Sequence, residues 1–413
     1  MPSFLKERIF MKAERTFPRA VVTKKQEASI KKGHPWIYAD EITEIDEELD
    51  NGCFIDVFGS KNNYLGTGFY SEQSKIRIRL LGNNANETYS DDFFARKVRY
   101  ALQYRFDVMK DDIQAVRLVH GEADGLPGLT VDRYNDILVT QVESYGTELH
   151  KDVIYRELIS QLEERGEHIS GIYERNEGEL RKKEGLPQYK GWYGEKHPES
   201  VITEISENGI LYEVDVENGQ KTGFFLDQKY NRKAIHTLAK GRDVLDCCTH
   251  TGSFALNAAA AGAKSVLAMD ISESALDMAK KNAERNHLDI SFRQGDVFDV
   301  LKQLKKEHAH FDFIILDPPA FTKSRKTFNN ARKGYREVNA DAMRLLKRGG
   351  YLASASCSHF MPKEEFEKML VDAANDAGVG VRMIEQRGAA FDHPVIPAVP
   401  ETEYLKFFLL QII

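Results

Sequence analysis

The stretch DVLDCCTHTGSFA, residues 243–255, decides the fold of the C-terminal half of this 413-residue chain. A β-prone run ends at Asp246, a short polar turn follows, and a helical segment of small residues begins near Gly252. Gly252 and Ser253 are small enough to let the helix N-terminus approach a bound ligand closely. Because the turn lacks the GxGxxG spacing, it predicts a strand–turn–helix unit but disfavours a dinucleotide-binding loop.

Strand-like and helical segments alternate from about residue 196 to the end, a pattern that predicts an open, mostly parallel, Rossmann-like α/β sheet. Ligands of such sheets bind outside the carboxyl ends of the strands, so the residues that end each strand carry the functional information. The seven predicted strands are DVLDCC, SVLAMD, ISFRQGD, FDFIILD, YLASASC, VRMIEQ and YLKFFLLQI.

The first four of these strands all end in an aspartate: Asp246, Asp270, Asp296 and Asp317. Taken singly, each is more typical of a helix N-cap than of a ligand. Four carboxylates at one sheet edge, however, rarely cluster without something to bind. Asp270 is placed to accept hydrogen bonds from both ribose hydroxyls of a nucleoside cofactor, and Asp296 from an adenine amino group.

The segment NGQKTGFFLDQKYNR, residues 218–232, precedes the first strand and is unusually rich in glycine, aromatic and polar residues. We interpret it as a lid over the cofactor, with Phe225 packing and Asp227, Gln228 and Arg232 making polar contacts. A β-turn followed by the edge of a strand is the alternative.

Two further blocks come before this sheet. Over residues 18–90, the short runs RAVVT, CFIDVF, YLGTGFY and KIRIRLL predict a small all-β barrel or sandwich. Residues 91–195 mix strands and helices and predict a central α+β domain. The predicted domains are therefore 18–90, 91–195 and 196–413, with residues 1–17 as an N-terminal extension.

Composition is typical of a soluble globular protein, with 42% hydrophobic and 29% charged residues. No apolar run is long enough to span a bilayer, and the charged start argues against a secretory signal. Four cysteines in a chain of this length do not indicate a disulfide framework. Cys247 and Cys248 are adjacent and no CxxC pair exists, so we expect no metal site. These features predict a reduced, cytoplasmic protein.

The strand-end motifs resemble those of the class I S-adenosylmethionine-dependent methyltransferases, with Asp246 and Gly252 in the first motif, Asp270 in the second, Asp296 in the third and DPPAF in the fourth. The order of all three blocks resembles the cytosine-C5 methyltransferases of large-subunit ribosomal RNA that begin with a PUA domain. That likeness rests on IKKGHPWIYADEI, RLVHGEADGLPGLTVDRYNDILV, KTGFFLDQ and DPPAFTKS.

This resemblance implies a PUA-like RNA-binding domain at 18–90 and a methyltransferase domain with a seven-stranded sheet at 196–413. It implies S-adenosylmethionine as cofactor and large-subunit ribosomal RNA as partner, with no membrane and with homodimer formation left open. The cofactor-binding residues that it implies are Gln228, Asp246, Thr249, Gly252, Asp270, Asp296 and Asp317.

Cys357 ends the fifth predicted strand, in the stretch YLASASCSHF, residues 351–360. Its position alone fits a small buried side chain as well as a nucleophile. Under the resemblance it is the nucleophile, whose thiolate adds to carbon 6 of cytosine and so activates carbon 5. Asp317 would hydrogen-bond or protonate the ring nitrogen. His359 is within reach to lower the thiol pKa, an ordinary polar contact being the alternative.

Substrate contacts are expected next to this strand end. Pro318 and Pro319 fix the backbone, and Phe321 could stack on the base. Lys323 and Arg325 follow as expected substrate-binding residues.

Two stretches are basic although the net charge is −7. Residues 1–35 hold nine Lys/Arg against three Glu, and residues 321–348 hold nine against two acidic residues. The second stretch borders the predicted pocket, which favours RNA contact over a solvated face.

Two other functions stay open on sequence grounds. Methylation of an exocyclic base nitrogen also uses an Asp-Pro-Pro motif, but DPPAF has Ala320 before its aromatic residue and such chemistry needs no cysteine. A non-catalytic RNA-binding assembly factor is the second alternative.

Overall fold

The structure, a computed structural model, describes residues 15–322 and 325–413, without the side chains of Asp111 and Arg325. Packing divides the chain into two compact units. The first contains the described residues up to Asp107 together with 118–132 and 136–198. The second contains residues 108–117, 133–135 and 199–413.

The first unit contains a six-stranded sheet in the order β2-β6-β5-β4-β1-β3. Its core consists of aliphatic side chains such as Val22, Ile55 and Ile78, which are fully buried. The elements of this region are β1 (Arg19–Val22), α1 (Lys24–Lys31), β2 (Trp36–Tyr38), β3 (Ile42–Ile45), β4 (Phe54–Phe58), β5 (Tyr64–Tyr70) and β6 (Ile76–Gly82).

The prediction of an N-terminal all-β domain is confirmed, with one added helix. The sequence of α1, KKQEASIK, has no apolar periodicity, so the pattern did not predict a helix there. It is instead supported locally, because the Thr23 side chain accepts a hydrogen bond from the Gln26 N–H at 3.2 Å.

A second sheet has the strand order β11-β10-β9-β8-β7. Strands and helices mix here as the sequence predicts. The elements are α2 (Asp91–Met109), β7 (Ala115–His120), β8 (Leu129–Tyr134), β9 (Ile137–Val142), α3 (Tyr145–Glu163), β10 (Gly171–Asn176), α4 (Glu179–Lys183) and β11 (Tyr189–Tyr193).

The second unit is built on a seven-stranded sheet, and all seven predicted strands are confirmed. A hairpin, β12 (Ile202–Glu207) with β13 (Ile210–Asp215), comes first. The remaining elements are α5 (Lys229–Ala234), α6 (His236–Ala239), β14 (Asp243–Cys247), α7 (Ser253–Ala260), β15 (Ser265–Asp270), α8 (Glu273–Arg285), β16 (Ser291–Gln294), α9 (Val297–Lys306), β17 (Phe311–Leu316), α10 (Phe328–Leu345), β18 (Leu346–Ser356), α11 (Lys363–Ala377), β19 (Val381–Arg387) and β20 (Lys406–Ile412).

The strand order of this sheet is β16-β15-β14-β17-β18-β20-β19, and β20 runs antiparallel to both of its neighbours. Both faces are apolar and buried. Leu245 and Ile314 pack with α9, α10 and α11 on one face, while Val244 and Phe313 pack with α6 and α7 on the other. The chain order reverses between β14 and β17, which is the point where a doubly wound sheet opens a crevice for ligands.

A buried ion pair ties the β12–β13 hairpin to α5. Arg232 donates two hydrogen bonds to the Glu207 carboxylate, at 2.6 and 2.8 Å, and both side chains are almost completely buried. Arg232 also donates to the Phe225 carbonyl at 2.8 Å. Removal of only one partner of such a pair is strongly destabilising, because the other charge stays buried without a counter-charge.

We therefore expect Arg232→Met to lower the free energy of unfolding of the second unit by roughly 3–5 kcal/mol. The measurement is urea denaturation followed by circular dichroism. The matched control is Lys280→Met, which breaks the exposed Lys280–Asp277 pair and should change the free energy by less than about 1 kcal/mol. Equal effects of the two substitutions would contradict this role of the buried pair.

Candidate active site and cofactor cavity

A cavity of about 310 Å³ lies in the second unit, where β14, β15, β17 and β18 end. Its size is within the roughly 300–1,000 Å³ typical of small-molecule sites. The residues predicted from sequence as site residues that line it are Gln228, Thr249, Asp270, Asp296, Asp317, Pro318, Pro319, Phe321 and Cys357.

Asp270, at the end of β15, is held in a fixed orientation by two backbone amides. One carboxylate oxygen accepts from the His250 N–H at 2.9 Å, and the other from the Ser272 N–H at 2.9 Å. These bonds connect the turn after β14 to the turn after β15. The carboxylate therefore faces the cavity with little freedom to rotate, which suits recognition of a pair of hydroxyls.

Asp246 and Gly252, which were predicted to bind the cofactor, are not among the residues that line the cavity. The Asp246 side chain is fully buried, and one carboxylate oxygen accepts from the Thr249 hydroxyl at 2.5 Å and from the Ala255 N–H at 2.9 Å. Burial raises the pKa of Asp246 to about 7, against the effect of these hydrogen bonds. Gly252 has φ +86°, and a Cβ added to it would come within 3.0 Å of the Ala279 Cβ. Both residues shape the turn after β14.

Asp296 serves as a helix cap while it lines the cavity. It precedes α9, and its carboxylate accepts from the Phe298 N–H at 2.9 Å. The N-cap role and the cavity position, which the sequence presented as alternatives, thus occur together. Phe298 and Val297 supply apolar wall beside it.

Residues 220–232 form one wall of the cavity, with turns and a one-turn 3-10 helix at Leu226–Gln228 leading into α5. Gln228 donates from its side-chain amide to the Asp317 carboxylate at 3.0 Å. Asp227 accepts from the Tyr404 hydroxyl at 2.6 Å, and its other oxygen has no hydrogen-bond partner among the described residues. Asp227 therefore keeps a free acceptor in the cavity wall.

The electrostatics of this wall act on Asp317. Burial, followed by the negative charge of Asp227, raises the pKa of Asp317 to about 7. Arg232, Gln228 and Lys221 act in the opposite direction. Asp317 thus exchanges its proton near neutral pH, unlike an exposed aspartate.

Cys357 is partly buried and lines the same cavity. Burial, followed by the charge of Asp317, raises the pKa of the Cys357 thiol, while Lys221 and Lys406 act to lower it. His359 does not line this cavity: its ring contacts Phe360 and lies in a separate groove. The cations that act to lower the thiol pKa include Lys221 and Lys406, which sequence reasoning missed.

One sequence signal could have revealed Lys406, since it is a lone lysine at the start of the apolar strand YLKFFLLQI. Lys221 lies in the KTGFFLDQ segment, but nothing in that pattern marked its side chain.

The predicted substrate residues are only partly described. Phe321 lines the cavity and packs against Tyr335, with ring centroids 4.5 Å apart, and Tyr335 accepts from the Ser356 hydroxyl at 3.0 Å. Lys323 lies outside the described residues, and so does the side chain of Arg325. Their expected contacts with substrate stay predictions.

Much of the basic stretch 321–348 is neutralised within the protein. On α10, Arg332 pairs with Asp372 and Arg336 with Asp376, each at 2.6 Å. Both acids belong to α11. These arginines are therefore paired within the protein, and contact of the stretch with RNA stays a prediction.

The described part of the N-terminal basic stretch behaves similarly. Arg15 pairs with Asp56 at 2.6 Å and also donates to the Thr67 hydroxyl and the Ala85 carbonyl. Its guanidinium is thus engaged by the six-stranded sheet.

Comparison with known proteins identifies two families along the chain. Residues 20–83 match a PUA-like domain, and residues 191–406 match the S-adenosylmethionine-dependent methyltransferases. The second match covers more than half of the chain. The chain belongs to the S-adenosylmethionine-dependent methyltransferase family.

Two curated relatives of this methyltransferase are both named ribosomal RNA large subunit methyltransferase I. The one from Aliivibrio fischeri is 40% identical over 95% of this chain and 98% of its own length. The one from Yersinia pseudotuberculosis is 39% identical over 95% of this chain and 99% of its own length.

Solved structures share the fold of the methyltransferase. A putative SAM-dependent methyltransferase from Streptococcus mutans superimposes with a TM-score of 0.79, at 23% identity over 95% of this chain and 99% of that one. A putative methyltransferase complexed with SAH gives a TM-score of 0.80 at 22% identity, with the same coverage. None of the helices in the described part of the chain is long and apolar enough to cross a membrane.

The cavity of the methyltransferase fits S-adenosylmethionine, which is its cofactor. Four aspartates line the cavity, Asp227, Asp270, Asp296 and Asp317, and among its cations Arg232 is already paired with Glu207. An excess of carboxylates suits a cationic sulfonium, and the apolar side chains near Asp296 suit a flat adenine ring.

Asp270→Asn should weaken S-adenosylmethionine binding about tenfold to a hundredfold, because hydrogen bonds to a charged acceptor contribute about 1.5–3 kcal/mol. Isothermal titration calorimetry measures this loss. Asp277→Asn, on the exposed side of α8, removes the same charge and should bind the cofactor like the parent. An unchanged affinity of Asp270→Asn would show that this carboxylate does not contact the cofactor.

Proposed function

We propose that this methyltransferase forms 5-methylcytosine in large-subunit ribosomal RNA through a transient bond between the Cys357 sulfur and carbon 6 of the base. One observation carries the proposal: Cys357 and Asp317 follow the neighbouring strands β18 and β17 and line one cavity with Asp270. The names of the relatives support ribosomal RNA as substrate, and the PUA-like domain supports a second RNA contact.

Within this proposal, the cofactor-holding groups are carboxylates and the turn after β14. Asp270 would accept from the ribose hydroxyls and Asp296 from the adenine amino group. Gln228 and Thr249 also line the cavity, whereas Asp246 and Gly252 would act through the shape of the turn. When bound, S-adenosylmethionine supplies an electrophilic methyl group.

Cys357 would make carbon 5 of cytosine reactive. Its thiolate adds to carbon 6, and the electron pair of the 5,6 double bond then makes carbon 5 a nucleophile for the methyl group. After methylation a base removes the carbon-5 proton, the sulfur–carbon bond breaks, and the thiolate is restored. The target base must leave its stack to reach a cavity of this kind.

Asp317 would donate a proton to ring nitrogen 3 as negative charge develops there, and would take it back when the sulfur–carbon bond breaks. With a pKa near 7, it is protonated in a substantial fraction of molecules at neutral pH. Gln228 holds the carboxyl group in position. Phe321, packed on Tyr335, offers a ring face to the base.

Cys357→Ala should abolish methyl transfer and leave S-adenosylmethionine binding intact, because the nucleophile is lost without loss of the cofactor contacts. RNA containing 5-fluorocytosine should form a covalent complex with the parent protein, since fluorine blocks removal of the carbon-5 substituent. Denaturing gel electrophoresis measures the complex, and peptide mass spectrometry locates the bond.

Cys248→Ala is the matched control, because Cys248 lines the same cavity but has no role in the proposed bond. It should form the complex like the parent. Methyl transfer that survives in Cys357→Ala would favour methylation of an exocyclic nitrogen, and a parent protein without any transfer would favour a binding factor.

The pH profile tests Asp317. Because its folded pKa is raised, its proton-donating form is present below about pH 7 and is lost as the pH rises. The fraction of Cys357 that is present as thiolate increases over the same pH range, because the pKa of the thiol is higher than that of Asp317. We expect the two effects to cancel, so the logarithm of kcat should be level from about pH 7 to pH 8, above which Lys406 loses the charge that lowers the thiol pKa.

Asp317→Asn should lower kcat by about 10²–10⁴-fold, the usual contribution of a general acid. The remaining kcat of this variant should rise about tenfold per pH unit over the range in which the parental kcat is constant. The reason is that the thiolate fraction of Cys357 is then the only quantity that still changes with pH. Single-turnover rates at saturating RNA measure both profiles. A level profile in Asp317→Asn would exclude Asp317 as the proton donor.

A further inference from the structure

Lys406 is a buried lysine that the proposed chemistry has not yet used. It opens β20 directly opposite Ser356, the last residue of β18, and its side chain is only 3% exposed. The ammonium donates to the Ser358 carbonyl at 2.5 Å and to the Tyr404 carbonyl at 2.7 Å. Lys406 thus bonds to the segment immediately after Cys357 and to the segment before β20.

The charge of this ammonium is not balanced by an ion pair. Among the described residues, no carboxylate lies within ion-pair distance of Lys406, whose two hydrogen-bond partners are neutral carbonyls. A buried cation without a counter-ion is costly, so a nearby group that becomes negative would relieve the cost. Burial lowers the pKa of Lys406 to about 8; Cys357 opposes this shift most, and the Glu403 carboxylate, beyond ion-pair distance, opposes it less.

The other charged and titratable groups around Cys357 come from several elements. Asp317, at the end of β17, and Asp227, in the 220–232 wall, disfavour a thiolate. Tyr335 of α10 is neutral at physiological pH because burial raises its pKa to about 12. Lys221 is half-exposed, and its ammonium lies 3.9 Å from the Asp227 carboxylate, so its charge is already paired with Asp227.

We propose that Lys406 is a positioning residue for Cys357, which ties the backbone on its C-terminal side to β20 and supplies the fixed counter-charge of its thiolate. The catalytic part of this inference rests on the proposed function. Below about pH 8, where Lys406 is charged, Cys357 gives its proton to solvent and Lys406 keeps its own, and the thiolate that is released after methyl transfer meets the same cation. Tyr404 extends the tie, since its hydroxyl bonds to Asp227 in the cavity wall.

The test is the pH dependence of Cys357 alkylation by iodoacetamide, resolved by peptide mass spectrometry because Cys53, Cys247 and Cys248 are also free. At pH 7, where Lys406 is charged, alkylation of Lys406→Met should be about tenfold slower than that of the parent, which corresponds to the lower end of the effect of a nearby opposite charge. The difference should shrink above about pH 8, where Lys406 of the parent loses its proton, and Lys406→Arg should keep the parental rate at pH 7.

Lys363→Met is the matched control, because Lys363 lines the same groove as Lys406 but makes neither carbonyl contact. It should alkylate like the parent. Calorimetry with S-adenosylmethionine verifies that each variant is folded. If Lys406→Met loses cofactor binding, Lys406→Gln replaces it, since an amide can keep a carbonyl contact without the charge.

Methyl transfer supplies the second readout. Lys406→Met should lower kcat about tenfold at constant pH and leave KM for RNA nearly unchanged, because the thiolate fraction falls. A parental alkylation rate at pH 7 in both Lys406→Met and Lys406→Gln, or an equal loss of rate in Lys363→Met, would overturn the inference. Transfer that persists in Cys357→Ala would instead refute the proposed function, while slower alkylation of Lys406→Met at pH 7 would still support the counter-charge.

Discussion

The site depends on one constraint, which is that β14, β15, β17 and β18 run parallel and therefore end at the same edge of one sheet. Asp270, Asp317 and Cys357 are far apart in sequence but each lies at such an end. Apolar side chains bury both faces of the sheet, so the strand ends keep their relative positions. The proton donor, the nucleophile and the residue that contacts the methyl donor can then come from separate strands and still meet in one cavity.

Binding a cationic cofactor and activating a thiol place opposite demands on the charge of this cavity. Carboxylates such as Asp270 and Asp317 suit a sulfonium, but Asp317 also raises the pKa of Cys357. We propose that two features reconcile these demands. Burial leaves Asp317 protonated in a substantial fraction of molecules near neutral pH, which weakens its repulsion, and the charge of Lys406 acts to lower the pKa of the thiol. Each group thus changes the protonation of its neighbours.

Sequence alone was sufficient for the features that repeat or that end a strand. The alternation of segments predicted the seven-stranded sheet, and the strand ends pointed to Asp270, Asp317 and Cys357. The sequence was insufficient to predict the role of a residue where that role depends on a partner far away in the chain. Arg336 belongs to the basic stretch 321–348, and only the fold shows that Asp376 of α11 pairs with it. The burial of Asp246, likewise, follows from packing around the turn and not from local pattern.

The neighbours Cys357 and His359 show why local spacing misleads at a strand end. In a continuing strand, residues two apart share one face, and the imidazole would then lie beside the thiol. The strand β18 ends at Ser356, however, and a turn at residues 359–360 carries the ring into a separate groove. Lys406 lines the same groove, but the antiparallel register of β20 sets it opposite Ser356, and its ammonium bonds to the Ser358 carbonyl. In the proposed arrangement, control of the thiol would come from strand pairing across the sheet, and a sequence pattern limited to a few residues cannot contain it.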